Sequence, residues 1–281
     1  MRVELDVRQG VVLRPGEGEE LATTGAASLR VLADLEELSA TFTWYGTRRE
    51  GASRHIHKQH ADSFYVLEGE LVFLTADESV QAPAGSTLLA PPNVVHGFDH
   101  ERDDDVRYLN FHTPNTGFVE SLRARRRPGY DGTRYDSFDP PSDAPTGVRL
   151  IAPGEGDRLV SDTRTATIKI ARDELTLVEF ALEPGFAGPK PHVHRRHVDS
   201  FYVVEGEPEL RAGDETLRAQ PRTFVAAPPG VVHSFANPGP GRARLINVHA
   251  PSCDFHEYLH LMARGDELDD AVHAKYDVYE L

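Results

Sequence analysis

Hydrophobic residues along this chain occur in short runs that are rich in β-branched and aromatic side chains. Examples are residues 38–45, 62–67 and 106–112, and Pro, Gly, Asp and Asn separate such runs from one another. Short runs of this composition are typical of β-strands bounded by tight turns. Residues 118–122 and 255–259 instead show helical spacing of their apolar positions. The pattern therefore predicts an all-β fold in which a short helix follows each set of strands.

Most of this pattern occurs twice. The first copy of its central stretch reads His55-Ile-His57-Lys-Gln-His60-Ala-Asp62-Ser-Phe-Tyr-Val-Leu-Glu-Gly69. The second copy begins 137 residues later and reads His192-Val-His194-Arg-Arg-His197-Val-Asp199-Ser-Phe-Tyr-Val-Val-Glu-Gly206. A later Pro-Pro-x-Val-Val-His stretch, which ends at His96 and at His233, keeps the same offset. The chain is therefore a tandem duplication.

The duplication suggests a division of the 281 residues into two domains. Residues 128–147 are dense in Pro, Gly, Asp and Ser, which is the composition of a connecting segment. We therefore expect an N-terminal domain over 1–127, a linker over 128–147, and a C-terminal domain over 148–281 that includes an acidic tail.

Histidine is the residue type that the repeat preserves most clearly. The matched pairs are His55 and His192, His57 and His194, His60 and His197, His96 and His233, and His112 and His249. Two histidines that lie two positions apart on a strand point to the same face. Imidazoles that converge in a protein interior must be hydrogen-bonded, charged or bound to a metal, since leaving each unpaired costs about 1–3 kcal/mol. The repeat thus indicates a metal site, with structural histidines as the alternative.

The motif order resembles that of the cupin superfamily: His-x-His, an acid five positions on, Phe-Tyr-Val-Leu-Glu-Gly, then Pro-Pro-x-x-Val-His. The resemblance covers nearly the whole chain and implies two tandem jelly-roll (double-stranded β-helix) barrels, each with a short C-terminal helix. It also implies up to one divalent transition metal per barrel, and Fe, Mn, Ni, Co, Cu and Zn all accept these ligands. The implied ligands are His55, His57, Asp62 and His96 in the first copy, and His192, His194, Asp199 and His233 in the second.

Both copies depart from the family pattern at the acidic ligand, where Asp replaces the usual Glu. Because Asp is one methylene shorter, the site holds either four protein ligands or three histidines with more open positions. Either arrangement suits a catalytic metal, which needs a free coordination position.

The remaining histidines have several interpretations. His60 and His197 could be alternative ligands, general bases at the barrel mouth, partners that orient the aspartates, or exposed rim residues. Asp62 and His60 are the candidates for proton transfer. His112 and His249 could line the pocket floor or form hydrogen bonds at the end of their strand. His100, which has no repeat partner, is predicted at the surface.

The two copies differ around the first histidines. The first copy has aromatic and basic residues where the second has small or apolar ones: Trp44, Tyr45, Arg48, Arg49 and Arg54. The first pocket could therefore offer aromatic surface and positive charge to a substrate. Alternatively, the aromatic residues belong to the ordinary core.

Within the family, the chain resembles the quercetinase-like dioxygenases. We therefore expect a metal-dependent oxidoreductase of the dioxygenase type that acts on a small organic substrate. The alternatives are a non-catalytic cupin that binds a metal or small ligand, and another cupin enzyme such as a decarboxylase or isomerase.

Composition narrows the partners and the location. The formal net charge of −15 argues against nucleic acid and anionic membranes as partners. The single cysteine, Cys253, cannot form an internal disulfide, and the first residues lack the apolar core of a signal peptide. We therefore expect a cytoplasmic protein without membrane segments, and a possible homodimer paired through sheet edges.

Overall fold

The structure, a computed structural model, describes residues 9–145 and 147–281. The residues used above to judge a signal peptide, 1–8, lie outside this range. Contacts divide the chain into two compact units. The first unit consists of residues 18–155, and the second unit combines residues 156–281 with the described residues 9–17. The part of the chain that the structure describes contains no helix that is both long and apolar enough to cross a membrane.

The first unit is built from two antiparallel sheets. Its strands are β2 (Glu20–Thr24), β3 (Ala27–Asp34), β4 (Ser39–Tyr45), β5 (Arg49–His55), β6 (Ala61–Glu68), β7 (Glu70–Leu74), β8 (Ser79–Pro83), β9 (Thr87–Ala90), β10 (His96–His100), β11 (Val106–Thr113) and β12 (Arg149–Ile151). The seven-stranded sheet has the order β12-β9-β6-β11-β4-β3-β2, and the four-stranded sheet has the order β5-β10-β7-β8. Helix α1 (Phe118–Ala124) and a 3₁₀ turn (Gly132–Tyr135) follow β11.

The second unit repeats this plan. Its strands are β1 (Val11–Leu13), β13 (Asp157–Val160), β14 (Arg164–Ala171), β15 (Thr176–Leu182), β16 (His192–Val193), β17 (Val198–Glu205), β18 (Glu209–Ala212), β19 (Glu215–Arg218), β20 (Phe224–Ala227), β21 (His233–Ala236), β22 (Ala243–Ala250) and β23 (Tyr279–Glu280). The seven-stranded sheet runs β1-β20-β17-β22-β15-β14-β13, and the five-stranded sheet runs β19-β18-β21-β16-β23. Helices α2 (Phe255–Arg264) and α3 (Asp270–Lys275) precede β23.

The core of each unit lies between its two sheets. In the first unit it combines Phe64 and Val66 of the larger sheet with Leu71 and Phe73 of the smaller one. In the second unit Phe201 and Leu210 occupy the matching places. The sheets are open sandwiches rather than closed barrels. The predicted all-β class, the two tandem jelly rolls and the short helix after each are confirmed.

The first strand of each sequence repeat pairs with a strand of the other repeat. Strand β1, at the start of the first repeat, pairs with β20 of the second unit through Val12 and Val225. Strand β12, at the start of the second repeat, pairs with β9 of the first unit through Leu150 and Leu88. Each seven-stranded sheet therefore gains one edge strand from the opposite repeat.

Candidate metal centre

The structure brings the four predicted ligands of each copy together. In the first unit His55 ends β5, His57 follows it, Asp62 lies in β6 and His96 begins β10. Their ligand atoms all lie within 4.8 Å of one another, as do those of the second set, His192, His194, Asp199 and His233. Ligand atoms about 2.1 Å from a shared ion would be about 3 to 4.2 Å apart, so the spacing is compatible with one ion per cluster.

A turn in each Pro-Pro motif holds the second histidine of the His-x-His pair, His57 or His194. Asn93 has a φ of 68° and Gly230 a φ of 85°, as predicted for a left-handed turn position. This conformation aims the backbone N–H of Asn93 at the carbonyl of His57, at 2.6 Å. Gly230 donates to the carbonyl of His194 over the same distance. The turn thus links the two motifs that supply the ligands.

Backbone carbonyls determine which nitrogen of each candidate ligand is free. The Nδ1–H of His57 donates to the carbonyl of Asp136 at 2.7 Å, and that of His194 donates to Asp277 at 2.7 Å. The other four Nδ1 atoms lie 2.7–2.9 Å from carbonyls: His55 to Ser53, His96 to Val94, His192 to Lys190 and His233 to Val231. Each ring therefore carries its proton on Nδ1 and presents an Nε2 lone pair to the cluster.

These Nε2 atoms have the surroundings of metal ligands. Those of His96, His194 and His233 are buried without a hydrogen-bond partner. The Nε2 atoms of His55 and His57 lie 3.2 Å apart, although neither carries a proton to donate. Lone pairs that face each other in a buried site are stabilised by a shared cation. The residues therefore fit a divalent metal.

Burial keeps these imidazoles neutral, as metal ligation requires. Burial, together with the neighbouring His96, lowers the pKa of His55 to about 4. Burial and His233 lower the pKa of His192 to about 4 as well. The pKa values of His57 and His194 are lowered further by burial and by the other histidines.

The shorter aspartate reaches each cluster. Asp62 Oδ2 lies 3.4 Å from His96 Nε2, and Asp199 Oδ2 lies 3.2 Å from His233 Nε2. The second oxygen of each carboxylate faces away and accepts a hydrogen bond from Asn110 Nδ2 or, at 2.5 Å, from Asn247 Nδ2. Burial opposes ionisation of Asp199, but His249 and His233 outweigh it and lower its pKa. One oxygen is thus free to contact an ion or a substrate proton.

The additional histidines form a buried chain of hydrogen-bonded side chains behind each aspartate. His60 is buried, so the rim position considered above is wrong, and its Nε2 lies 2.9 Å from His112 Nδ1. His112 Nε2 is 2.9 Å from Asn110 Oδ1, and Asn110 in turn holds Asp62. His197, His249 and Asn247 repeat the chain with separations of 3.0 Å. The helices close it, since Phe118 stacks on His112 at 3.6 Å and Phe255 on His249 at 3.5 Å.

Asp136 and Asp277 anchor these chains, and sequence reasoning missed both. Asp136 Oδ2 lies 2.8 Å from His60 Nδ1, and its carboxylate also accepts the backbone N–H groups of Lys58 and Gln59. Asp277 makes the corresponding bonds with His197 and with the backbone of Arg195 and Arg196. Both have a positive φ, 60° and 62°. Asp136 lies in the stretch that composition suggested as a linker.

A short signal for these anchors does exist in the sequence. Asp136 lies in Tyr-Asp-Ser-Phe and Asp277 in Tyr-Asp-Val-Tyr. The spacing between them is 141 rather than 137 residues, so a search at the repeat offset passes over them. The aromatic residue two positions on has the same role in each copy. Lys58 Nζ lies 3.8 Å from the Phe138 ring centre, and Arg195 lies 3.8 Å from that of Tyr279.

In the second unit, the direction of each hydrogen bond from Asp199 to His197 can be assigned. Asn247 donates its amide N–H to Asp199, so its oxygen accepts from His249 Nε2–H. His249 Nδ1 then accepts from His197 Nε2–H, and His197 Nδ1 lies 2.9 Å from Asp277 Oδ2. Both nitrogens of His197 are therefore engaged within the protein.

The surroundings of the two clusters differ. The second unit holds a cavity of about 180 Å³ that His192 and Asp199 line together with Phe180, Phe186, Phe235, Phe255 and Tyr258. Beside His55 the first unit has a polar cleft of about 610 Å³, whose lining includes Arg54, Arg125 and Asp131. Tyr45 packs edge-on against the buried Tyr108 at 6.0 Å, which agrees with the second of the two interpretations given above, a core role. The aromatic cavity lies in the second unit.

Comparison with known proteins agrees with the fold. The family described as the cupin domain matches residues 46–112 and 178–249. Quercetin 2,3-dioxygenase of Bacillus subtilis is 23% identical over 268 residues, covering 80% of this chain and 77% of that protein. A solved oxalate decarboxylase variant from B. subtilis has a TM-score of 0.61 at 14% identity and covers 99% of this chain and 92% of its own. Another B. subtilis oxalate decarboxylase structure, whose description names Mn(II) centres, has a TM-score of 0.60 at 14% identity, with 89% and 80% covered.

Proposed function

This chain belongs to the cupin superfamily as a bicupin, and we propose that it is a metal-dependent oxidoreductase of the dioxygenase type. Its substrate would be a small organic molecule bound beside the histidine cluster. The observation that carries the proposal is the convergence of proton-free Nε2 atoms and one carboxylate oxygen in each unit. The named activity of the B. subtilis relative supports oxygen chemistry over other cupin reactions.

The metal would be held by His55, His57, Asp62 and His96 in the first unit. In the second unit the ligands would be His192, His194, Asp199 and His233. A bound divalent transition metal would supply open coordination positions for a substrate oxygen and for molecular oxygen. Imidazole and carboxylate ligands accept several such metals, and the Mn(II) centres named for the structurally similar oxalate decarboxylase make manganese one of those to test first.

The protein's own groups would orient the substrate and handle a proton. Asp62 and Asp199 each have one oxygen facing the cluster and one held by an asparagine, so each can take a substrate proton without rotating. We assign His60 a positioning role rather than that of a general base. Both of its ring nitrogens are already hydrogen-bonded, to Asp136 and to His112.

Oxygen consumption tests this proposal. The full chain, stripped of metal and reloaded separately with Mn, Fe, Co, Ni, Cu or Zn, would be supplied with oxygen and a panel of phenols, enols and aromatic acids. We expect metal-dependent oxygen uptake that the double variant His57→Ala/His194→Ala abolishes. Substrate loss without oxygen uptake would indicate a decarboxylase or isomerase. Tight binding with no turnover would indicate a non-catalytic binding protein.

A further inference from the structure

The cavity of the second unit is built mainly from apolar side chains and ends at the metal cluster. Phe180, Phe235, Phe255 and Met262 line it, and His192 and Asp199 belong to its wall. Its volume is about 180 Å³. An apolar cavity of roughly 150 Å³ accommodates one benzene molecule. The space therefore suits a ligand with one ring-sized apolar body in contact with the cluster.

The two units differ at a pair of facing positions near the strand that carries Arg164. In the first unit these positions are Tyr45 and Tyr108, whose hydroxyl groups lie 3.3 Å apart. The corresponding residues of the second unit are Leu182 and Leu245. The strand registers agree, because Tyr45 pairs with Ala27 and Leu182 pairs with Arg164. The second unit therefore lacks the two phenol groups that the first unit has at these facing positions.

Arg164 gives this cavity a cation. It stands where the first unit has Ala27, and its guanidinium lies 5.7 Å from the ring centre of Phe180. Burial lowers the pKa of Arg164, which reflects the cost of placing its charge there. Within residues 9–145 and 147–281 no carboxylate lies within ion-pair distance of Arg164. The other cation of the lining, Lys190, is already paired with Glu280 at 2.6 Å.

A partly buried guanidinium without a counter-ion favours an anionic ligand, since buried charges are normally paired. A carboxylate matches its planar donor groups by forming two parallel hydrogen bonds. We propose that the second unit's cavity binds a single-ring aromatic or similarly sized apolar monocarboxylate, with its carboxylate on Arg164 and its ring among Phe180, Phe235 and Phe255. This ligand would lie beside His192 and Asp199. Its role as the substrate rests on the proposed function.

Calorimetry with benzoate and its neutral analogue benzamide tests the proposal on the full chain. We expect benzoate to bind more tightly than benzamide. Arg164→Met should weaken benzoate binding about tenfold or more, as expected for loss of a charge-assisted hydrogen bond, and leave benzamide binding unchanged. Arg158→Met, which removes an exposed charge from the neighbouring β13, is the matched control and should bind benzoate normally. Equal binding of benzoate and benzamide, or unchanged benzoate binding by Arg164→Met, would overturn the proposal.

A second variant tests the cavity itself. Met262→Trp enlarges a side chain that lines the cavity, and we expect it to abolish benzoate binding while the protein keeps its thermal transition. A variant that unfolds leaves the Arg164→Met comparison to decide. Quercetin, with three rings, should not displace benzoate, and displacement would overturn the single-ring size.

The inference and the proposed function can fail separately. Benzoate binding that depends on Arg164, without oxygen uptake for any substrate, would uphold the binding site and reject the oxygenase. Oxygen uptake that is unaffected in Arg164→Met would uphold the oxygenase and reject this ligand class.

Discussion

At the scale of single residues, one aspartate outside each set of candidate ligands holds that set in place. The carbonyl of Asp277 fixes the protonated nitrogen of His194, while its carboxylate holds the backbone of the loop that follows and the ring of His197. Asp136 has the same contacts in the first unit. Partners of this kind orient the ligands and raise metal affinity.

We predict that Asp277→Asn weakens metal binding at the second site by about 10- to 100-fold, the usual effect of losing a ligand's supporting partner. The amide keeps the size of the side chain but removes the charge that faces His197 and the loop N–H groups. Metal titration of the stripped protein would measure both sites. The first site is an internal control, and Asp214→Asn, at an exposed turn position, is the matched variant. Unchanged affinity at the second site would contradict the anchoring role.

The buried histidines predict a stability that depends on pH. The pKa of His55 and that of His192 are about 4 in the folded protein, against 6.5 for an ordinary histidine. Between these values the unfolded chain binds more protons, so the free energy of unfolding of the metal-free protein falls as pH drops from 6.5 towards 4. The full difference is about 3 kcal/mol for each residue. Above pH 6.5 these two residues make no contribution to the pH dependence.

Urea unfolding of the metal-free protein at pH 7, 5.5 and 4.5 would measure this loss. His192→Gln removes one of the two groups and should show a shallower decrease. A free energy of unfolding that is the same at all three pH values would show that the histidines are not held neutral.

At the scale of secondary-structure elements, the exchanged edge strands link each repeat to the opposite unit. Val12 of β1 packs against the core of the second unit, and Leu150 of β12 packs against the core of the first. These strands contribute both backbone pairing and apolar burial at the edge of a seven-stranded sheet.

The strand exchange makes a prediction about substitutions in β1 and β12. A substitution in β12 should destabilise the first unit, and one in β1 should destabilise the second. Trp44 is the single tryptophan and lies in β4 of the first unit, so its fluorescence follows unfolding there. Leu150→Asp should lower the stability of that transition by about 1–3 kcal/mol, the cost of placing a polar group in an apolar contact. Val12→Asp should leave the Trp44 transition unchanged. It should instead destabilise the second unit, whose unfolding circular dichroism detects. The opposite assignment of the two effects would refute the exchange.

The sequence predicted the elements well where a repeat or a periodic pattern defines them. The predicted strands over 38–45, 62–67 and 106–112 correspond to β4, β6 and β11, and the ligand residues of both copies meet as expected. His100 is a counterexample: it was predicted at the surface, yet it is buried and hydrogen-bonded to the carbonyl of Asp104 at 2.6 Å. A single histidine without a repeat partner has no pattern from which burial can be inferred.

Three features needed the folded structure because they depend on contacts between distant segments. The anchors Asp136 and Asp277 lie 76 and 80 residues from the histidines that they hold. The exchange of β1 and β12 depends on pairing across the repeat boundary. The cavity is lined by side chains such as Arg164, Phe180 and Phe255, which lie far apart in the sequence and meet only in the folded chain.

At the scale of the whole molecule, duplication has kept the ligand set and changed what surrounds it. Both units present the same three histidines and one aspartate. Of the two cavities described, the apolar one with a cation lies in the second unit, and the polar cleft lies beside His55 in the first. On this account, both sites bind metal, and the second is the one that binds the carboxylate ligand.

Metal content per chain is the most direct test of the central claim, that each unit holds one divalent ion. Elemental analysis would be made on protein purified without an affinity tag and then reconstituted, and on His57→Ala and His194→Ala. The account predicts two equivalents per chain, with one lost in each variant. Protein that binds no divalent metal after reconstitution, or variants that keep both equivalents, would contradict it and leave the histidines with a structural role.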